Sequence, residues 1–69
     1  MTLIQVESSN IAGYYYFEGQ QTLHIEFKDG RAYQYFDVPA HVVAELAAAE
    51  SKGRYLNAFI KGTYRYARV

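Results

Sequence analysis

The segment from Thr22 to Lys28 restricts the fold more than any other part of the chain, because polar and apolar residues alternate along it without interruption. Leu23, Ile25 and Phe27 fall on one side of an extended chain, and the residues between them fall on the other side. This period of two is typical of a β-strand with one buried face. The segment ends at Asp29-Gly30, a pair typical of hairpin turns, so we expect a second strand to follow and pair with it.

The Asp29-Gly30 turn can be built in two ways, and the choice decides which face Tyr33 and Tyr35 occupy. A two-residue loop would place both tyrosines on the polar face of the preceding strand. A three-residue loop with a left-handed glycine would instead pair Tyr33 with Ile25 and Tyr35 with Leu23. We favour the three-residue loop, because it gathers the apolar side chains of both strands on one face. In that register we expect the two tyrosines to complete the core. The alternative is that their rings are exposed and stack on the bases of a nucleic acid.

Further strands and a helix are predicted around this hairpin. Leu3 to Glu7 and Ile11 to Phe17 have the composition of strands. A helix is predicted from about Pro39 to Glu50, since proline is favoured in a first turn, and we expect Asp37 to cap it. Apolar residues recur at helical spacing within that range, at Val42, Leu46 and Ala49.

A second, shorter helix is predicted from about Arg54 to Ile60. Either Gly53 ends the first helix in a left-handed conformation, or Ser51 caps the second helix. We expect the second helix to bury the side chains of Leu56, Phe59 and Ile60. The residues after Gly62 predict a final strand or an ordered arm.

These elements predict one α+β domain over residues 1–69. Its architecture is a small antiparallel β-meander with one main helix packed on a face, a short second helix and a C-terminal strand or arm. The chain has no cysteine, so apolar packing must stabilise it, and its eight tyrosines and four phenylalanines supply the area. Residues 1–9 lack the character of a signal peptide, and no stretch approaches the roughly 18 apolar residues of a membrane span. These features favour a cytoplasmic protein.

Charge is distributed very unevenly along the chain. The formal net charge is zero, yet residues 51–69, called the tail below, contain five of the seven cations and none of the seven carboxylates. Tyrosines and a phenylalanine lie between these cations, and that combination is typical of proteins that bind single-stranded nucleic acid. The alternative is that the tail cations balance the net negative charge of residues 1–50 within the fold.

The candidate nucleic-acid-binding residues all come from the tail. Its cations would contact phosphates, while Asn57 would hydrogen-bond a base edge or fix the local loop. Arg54, Asn57 and Lys61 have the spacing of residues that share one helical face. Tyr64 or Tyr66 would stack on a base. The complete predicted set is Lys52, Arg54, Asn57, Lys61, Tyr64, Arg65 and Arg68.

A competing prediction is a module for protein–protein interaction or self-association. Consecutive residues of a strand point to opposite faces, so the aromatic run from Tyr14 to Phe17 places rings on both sides of the sheet. Either the helices and the tail cover both sides, or one side contacts a partner protein or a second copy.

The sequence predicts no catalytic residue, metal, cofactor or small-molecule substrate. His24 and His41 are the only histidines, and they lack the clustered partners that a metal site requires. The serines have no neighbouring base in the sequence to activate them as nucleophiles. We therefore expect a binding module and not an enzyme.

Several motifs resemble those of the KTSC domain family. They are Tyr33-Gln34-Tyr35, Val38-Pro39, the run from Ser51 to Tyr55 with Asn57, Ile60 and Lys61, and the closing Tyr64. The family takes its name from the C-terminal extension of some lysyl-tRNA synthetases and also occurs as short bacterial proteins. The resemblance implies RNA binding, which is proposed for the family because of that attachment, and it brings no catalytic residue. The chain departs from the family at Tyr15-Tyr16-Phe17, where a Gly-Tyr-Asp turn is expected, so the strand there should run longer.

Overall fold

The computed structural model describes residues 4–5 and 10–69, with side-chain surroundings from residue 10 onward. Five antiparallel strands form one sheet within these residues, and they lie side by side in chain order. The strands are β1 (Ile4–Gln5), β2 (Ile11–Phe17), β3 (Thr22–Phe27), β4 (Ala32–Tyr35) and β5 (Tyr66–Arg68). This confirms the predicted meander and shows that the C-terminal segment is a strand. The remainder of the strand predicted from Leu3 to Glu7 lies outside the described residues.

The hairpin between β3 and β4 has the three-residue loop favoured from the sequence. Leu23 pairs with Tyr35 and Ile25 pairs with Tyr33. The backbone N–H of Phe27 donates to the carbonyl of Arg31 at 2.8 Å. Gly30 has φ +92°, in the left-handed region that this loop requires. The prediction is therefore confirmed in both its register and its turn.

The first helix, α1, spans Ala40–Ala48 and begins after Pro39. Val42 and Leu46 are buried, as their spacing predicts. The prediction that Asp37 caps this helix is wrong, because the N-terminus of α1 has no side-chain cap. Asp37 stands two residues before the cap position with φ +58°, and its carboxylate accepts a 2.7 Å hydrogen bond from Arg65 instead.

The second helix, α2, spans Lys52–Tyr55 and continues into a π-helical segment, Leu56–Ile60. Ser51 caps α2, because its hydroxyl accepts a hydrogen bond from the backbone N–H of Arg54 at 3.3 Å. Leu56 and Ile60 are buried as predicted, whereas Phe59 is 59% exposed, so the prediction that it is buried is wrong. A π turn is wider than an α turn, and that extra width rotates Phe59 away from the core side.

The core lies between the two helices and one face of the sheet. Its buried apolar residues are Ile11, Tyr14, Leu23, Ile25, Phe27, Tyr35, Val38, Val42, Leu46, Leu56 and Ile60. The aromatic run of β2 is divided between the two faces. Tyr14 is buried on the core face, and the Tyr16 hydroxyl there donates to the carbonyl of Val38 at 2.6 Å. Tyr15 and Phe17 lie on the opposite face with ring centroids 4.9 Å apart.

None of the helices described for residues 10–69 is long and apolar enough to cross a membrane.

Candidate nucleic-acid interface

The tail folds back onto the β3–β4 hairpin. After the π-helical segment the chain turns at Gly62, where φ is +80°, and β5 then pairs with β4. In that pairing Tyr66 lies opposite Tyr35, and Arg68 lies opposite Tyr33. Candidate residues of the tail therefore share a surface with residues about thirty to forty positions earlier in the chain.

A cleft of about 580 Å³ lies between the hairpin and the returning tail. Its aromatic walls are formed by Phe27, Tyr33, Tyr35 and Tyr66. The other side chains that line it are Asn10, Lys28, Asp29, Arg31 and Lys61. We call this feature the aromatic cleft. It combines three cations with one carboxylate, so its walls carry a net positive charge.

The four rings of the aromatic cleft contact one another in series. The ring of Phe27 lies edge-on to that of Tyr33, with centroids 5.6 Å apart. Tyr33 in turn lies edge-on to Tyr66 at 5.8 Å, and Tyr35 contacts Tyr66 at 5.7 Å. Tyr35 is 2% exposed and Tyr66 is 61% exposed. Tyr66 is therefore the ring that offers most of its area to a ligand, and the rings of β4 hold it in place.

Lys61 lies at the edge of the core-side rings. Its ammonium is 5.7 Å from the centroid of Phe27, within the range in which a cation is attracted to an aromatic face. This contact holds an exposed positive charge against the wall of the aromatic cleft. Of the predicted set, Lys61 lines this cleft, together with Tyr66, the ring that was the alternative to Tyr64 for stacking on a base.

Asp29 and Arg31 form an ion pair at the hairpin loop. The Nε of Arg31 donates to the carboxylate of Asp29 at 2.7 Å, and the backbone N–H of Arg31 donates to it at 3.0 Å. The pKa of Asp29 is lowered, chiefly by the backbone hydrogen bond from Arg31 and then by the guanidinium, with a smaller contribution from Arg68. Asp29 is therefore ionised at neutral pH, and its negative charge offsets part of the positive charge of Arg31.

The other predicted residues do not line the aromatic cleft. Arg65 pairs with Asp37 at 2.7 Å and lies 5.7 Å from the ring centroid of Phe36, beside the half-buried Tyr64. Lys52 is half-buried, and its ammonium donates to the carbonyl of Ala49 at 3.2 Å. The remaining three predicted residues are exposed, with Arg54 and Asn57 on α2 and the π-helical segment and Arg68 on β5. The structure thus distributes the predicted set over several places. Lys61 lines the aromatic cleft, whereas Tyr64 and Arg65 line a second, more open depression together with Phe36 and Tyr66.

Sequence reasoning missed the hairpin's contribution to this surface. Phe27, Lys28 and Arg31 line the aromatic cleft, yet their sequence pattern indicated only a turn and a core. Tyr33 also lines it, and stacking on a base was only the alternative prediction for this residue. The available signal was the favoured hairpin register, which puts Phe27 and Tyr33 on the same face. What remained hidden was the pairing of β5 with β4, since nothing local in the sequence indicates which strand the tail joins.

The opposite face of the sheet carries a separate polar cluster. His24 contacts Glu26 through Nε2 at 3.0 Å, and the Gln34 amide approaches its Nδ1 at 3.3 Å. These three side chains lie on the face that bears Tyr15 and Phe17, away from the aromatic cleft. No group of three or more metal-ligating side chains is assembled within residues 10–69.

The relatives of this chain fall into two groups. It is 45% identical over 67 residues to a lysine–tRNA ligase of Nostoc sp., an alignment that covers 97% of this chain and 12% of the ligase. The chain thus spans only about an eighth of the ligases that it matches. It is also 39% identical to an uncharacterised protein of Stutzerimonas stutzeri, and there the match covers 100% of this chain and 99% of the relative.

A solved structure and a family model agree with these relatives. The crystal structure of a KTSC domain protein from Yersinia pestis superposes with a TM-score of 0.92 at 32% identity, covering 99% of this chain and 96% of that one. The model of the KTSC domain matches residues 7–66. The resemblance seen in the sequence motifs is therefore confirmed, and this chain belongs to the KTSC domain family.

Proposed function

We propose that this chain is a non-enzymatic binding module that binds RNA on the surface where the tail returns to the β3–β4 hairpin. The observation that carries the proposal is the aromatic cleft, which the exposed Tyr66 lines together with three cations. An aromatic ring beside positive charge suits a ligand that has flat bases and a phosphate backbone. The relatives named lysine–tRNA ligase favour RNA over DNA as the ligand.

The proposed contacts combine predicted residues with those that the fold adds. Lys61 lines the aromatic cleft, and Arg68 lies opposite Tyr33 in the adjoining strand. The predicted residues away from the cleft, Lys52, Arg54, Asn57, Tyr64 and Arg65, are proposed as outer contacts for a longer strand. With about three to five phosphates engaged, binding should be of modest affinity and should weaken steeply as salt is added.

The direct test is a fluorescence anisotropy titration of the full chain against labelled tRNA and labelled single-stranded RNA at two salt concentrations. We expect saturable binding at low salt that falls at higher salt, with a logarithmic slope of about −0.7 for each phosphate contacted by a single strand. The double variant Lys61→Gln and Arg68→Gln should weaken binding and flatten the salt slope. Absence of saturable binding at low salt would contradict the proposal.

Two variants define the reach of the contact surface. Arg54→Gln removes an exposed cation of α2 that does not line the cleft, so its effect reports whether the ligand extends onto the helix. Glu50→Gln removes an exposed carboxylate just beyond α1 and should leave the salt slope unchanged. If Glu50→Gln lowered affinity as much as the double variant, the effect would be one of altered folding.

A second candidate function is self-association or protein binding through the sheet face opposite the helices. The observation that favours it is the contact between the rings of Tyr15 and Phe17 on that face, 4.9 Å apart. Tyr14 and Tyr16 are already engaged by the core, so they cannot contribute. Sedimentation velocity tests self-association, which a pure monomer at high protein concentration would remove.

A further inference from the structure

Tyr66 has an unusual combination of support and exposure. Its ring contacts Tyr33 and Tyr35 at 5.8 Å and 5.7 Å, yet 61% of the residue is exposed. A ring that is held by neighbours and still accessible loses little further conformational freedom when a ligand stacks on it. Phe59 makes a useful comparison, because it is 59% exposed and contacts the ring of Tyr55 at 4.8 Å, but it does not line the cleft.

The size of the aromatic cleft suits one nucleotide. Its volume of about 580 Å³ lies inside the range of roughly 300 to 1,000 Å³ that is common for small-ligand sites. The rings of β4 and β5 form its aromatic wall, so a flat ligand entering the cleft meets aromatic surface. A longer strand would have to continue out of the cleft over the neighbouring surface.

The charges of the cleft favour a phosphate beside Lys61 over one beside the Asp29–Arg31 ion pair. Arg31 is engaged by the ionised Asp29, whose carboxylate would repel a phosphate placed beside it. Lys61 is held over Phe27 by its contact with the ring, with its charge still exposed. A nucleotide that stacks on Tyr66 would therefore place its phosphate toward Lys61 and away from Asp29.

We propose that the aromatic cleft is a subsite for one unpaired nucleotide of single-stranded RNA, with the base stacked on Tyr66 and the phosphate on Lys61. This inference rests on the proposed RNA-binding function and adds to it the form of the ligand. In a duplex, neighbouring base pairs cover the faces of each base, so a base can reach Tyr66 only where the strand is unpaired. The same chain should therefore bind a single strand in preference to a duplex of equal length.

The test compares matched variants by anisotropy, using a labelled RNA oligonucleotide alone and annealed to its complement. Tyr66→Ala should weaken binding of the single strand by about five-fold to a hundred-fold, the range produced by loss of one base–aromatic stack. Phe59→Ala removes a ring of equal exposure and should change affinity by less than about two-fold, while Tyr66→Phe should retain binding. Lys61→Gln should reduce the magnitude of the salt slope by about 0.7.

A second measurement does not depend on a variant losing affinity for RNA. The chain contains no tryptophan, so Tyr66→Trp and Phe59→Trp each introduce a single tryptophan, a fluorophore that can be excited selectively over the tyrosines. Stacking of a base should quench the first fluorophore on addition of the single strand and leave the second unchanged. Equal quenching at positions 66 and 59, or equal affinity for the single strand and the duplex, would overturn the inference while leaving RNA binding intact. Failure of the unmodified chain to bind RNA at low salt would overturn the proposed function and this inference together.

Discussion

The phenol of Tyr55 donates a 2.6 Å hydrogen bond to a carboxylate oxygen of Glu45, ten residues earlier in the chain. This bond joins α1 to α2. An ionised carboxylate accepts a hydrogen bond only from the neutral phenol, so it opposes loss of the phenol proton. The hydrogen bond to Glu45, with a smaller contribution from burial, raises the pKa of Tyr55 to about 12.

We predict that Glu45→Gln returns the pKa of Tyr55 from about 12 toward its ordinary value of 10.0. A pKa raised by folding stabilises the fold below the unfolded value, so this contribution is complete below pH 10 and is lost between pH 10 and 12. An NMR titration of the Tyr55 ring carbon that bears the hydroxyl measures the shift. Glu50→Gln is the control. An identical Tyr55 titration in Glu45→Gln and the unmodified chain would contradict the prediction.

Leu46 should be among the most sensitive positions for stability. Its side chain, in the last turn of α1, is fully buried, whereas Phe59 is 59% exposed although both are large apolar residues. Leu46→Ala should lower the free energy of unfolding by about 2 to 5 kcal/mol through lost contacts and a residual cavity. Phe59→Ala should lower it by less than about 1 kcal/mol. Urea denaturation followed by circular dichroism measures both, and similar losses would show that the π turn does not expose Phe59 in solution.

Gly30→Ala should destabilise the protein through the backbone alone. Gly30 has φ +92°, and a Cβ placed there would meet no atom within 4 Å. The left-handed conformation costs a residue with a Cβ about 1 to 2 kcal/mol. A Cβ at Gly19 would also meet open space, but Gly19 lacks the positive φ, so Gly19→Ala should be neutral or slightly stabilising. Thermal unfolding compares the stabilities of the two variants. Equal midpoint temperatures would argue against the three-residue loop.

The ion pair between Arg65 and Asp37 should contribute little to stability despite its 2.7 Å length. Both side chains are largely exposed, at 76% and 72%, so water and salt screen the attraction. A double-mutant cycle of Asp37→Asn and Arg65→Gln should give a coupling energy below about 1 kcal/mol, and added salt should reduce it further. Urea titrations of the four proteins supply the cycle. A coupling of about 2 kcal/mol or more would show that the pair is shielded from solvent.

Most of the sheet could be predicted from local patterns. The alternation from Thr22 to Lys28, followed by Asp29-Gly30, determined a hairpin, and the requirement for one apolar face selected its register. Helix α1 followed from the spacing of Val42 and Leu46. The lack of a side-chain cap on α1 could not be predicted this way. Asp37 pairs instead with Arg65, 28 residues later, and no local pattern reveals that partner.

The sequence by itself determined that the positive charges are concentrated after residue 50 and that tyrosines lie among them. It did not determine where these residues meet, because that depends on β5 pairing with β4 and on the wider π turn that exposes Phe59. Tertiary structure alone decided that Lys61 and Tyr66 share a cleft with Phe27, Tyr33 and Arg31. The physical reason is that a sheet joins residues distant in the chain through backbone hydrogen bonds, which carry no signal in the side chains of either segment.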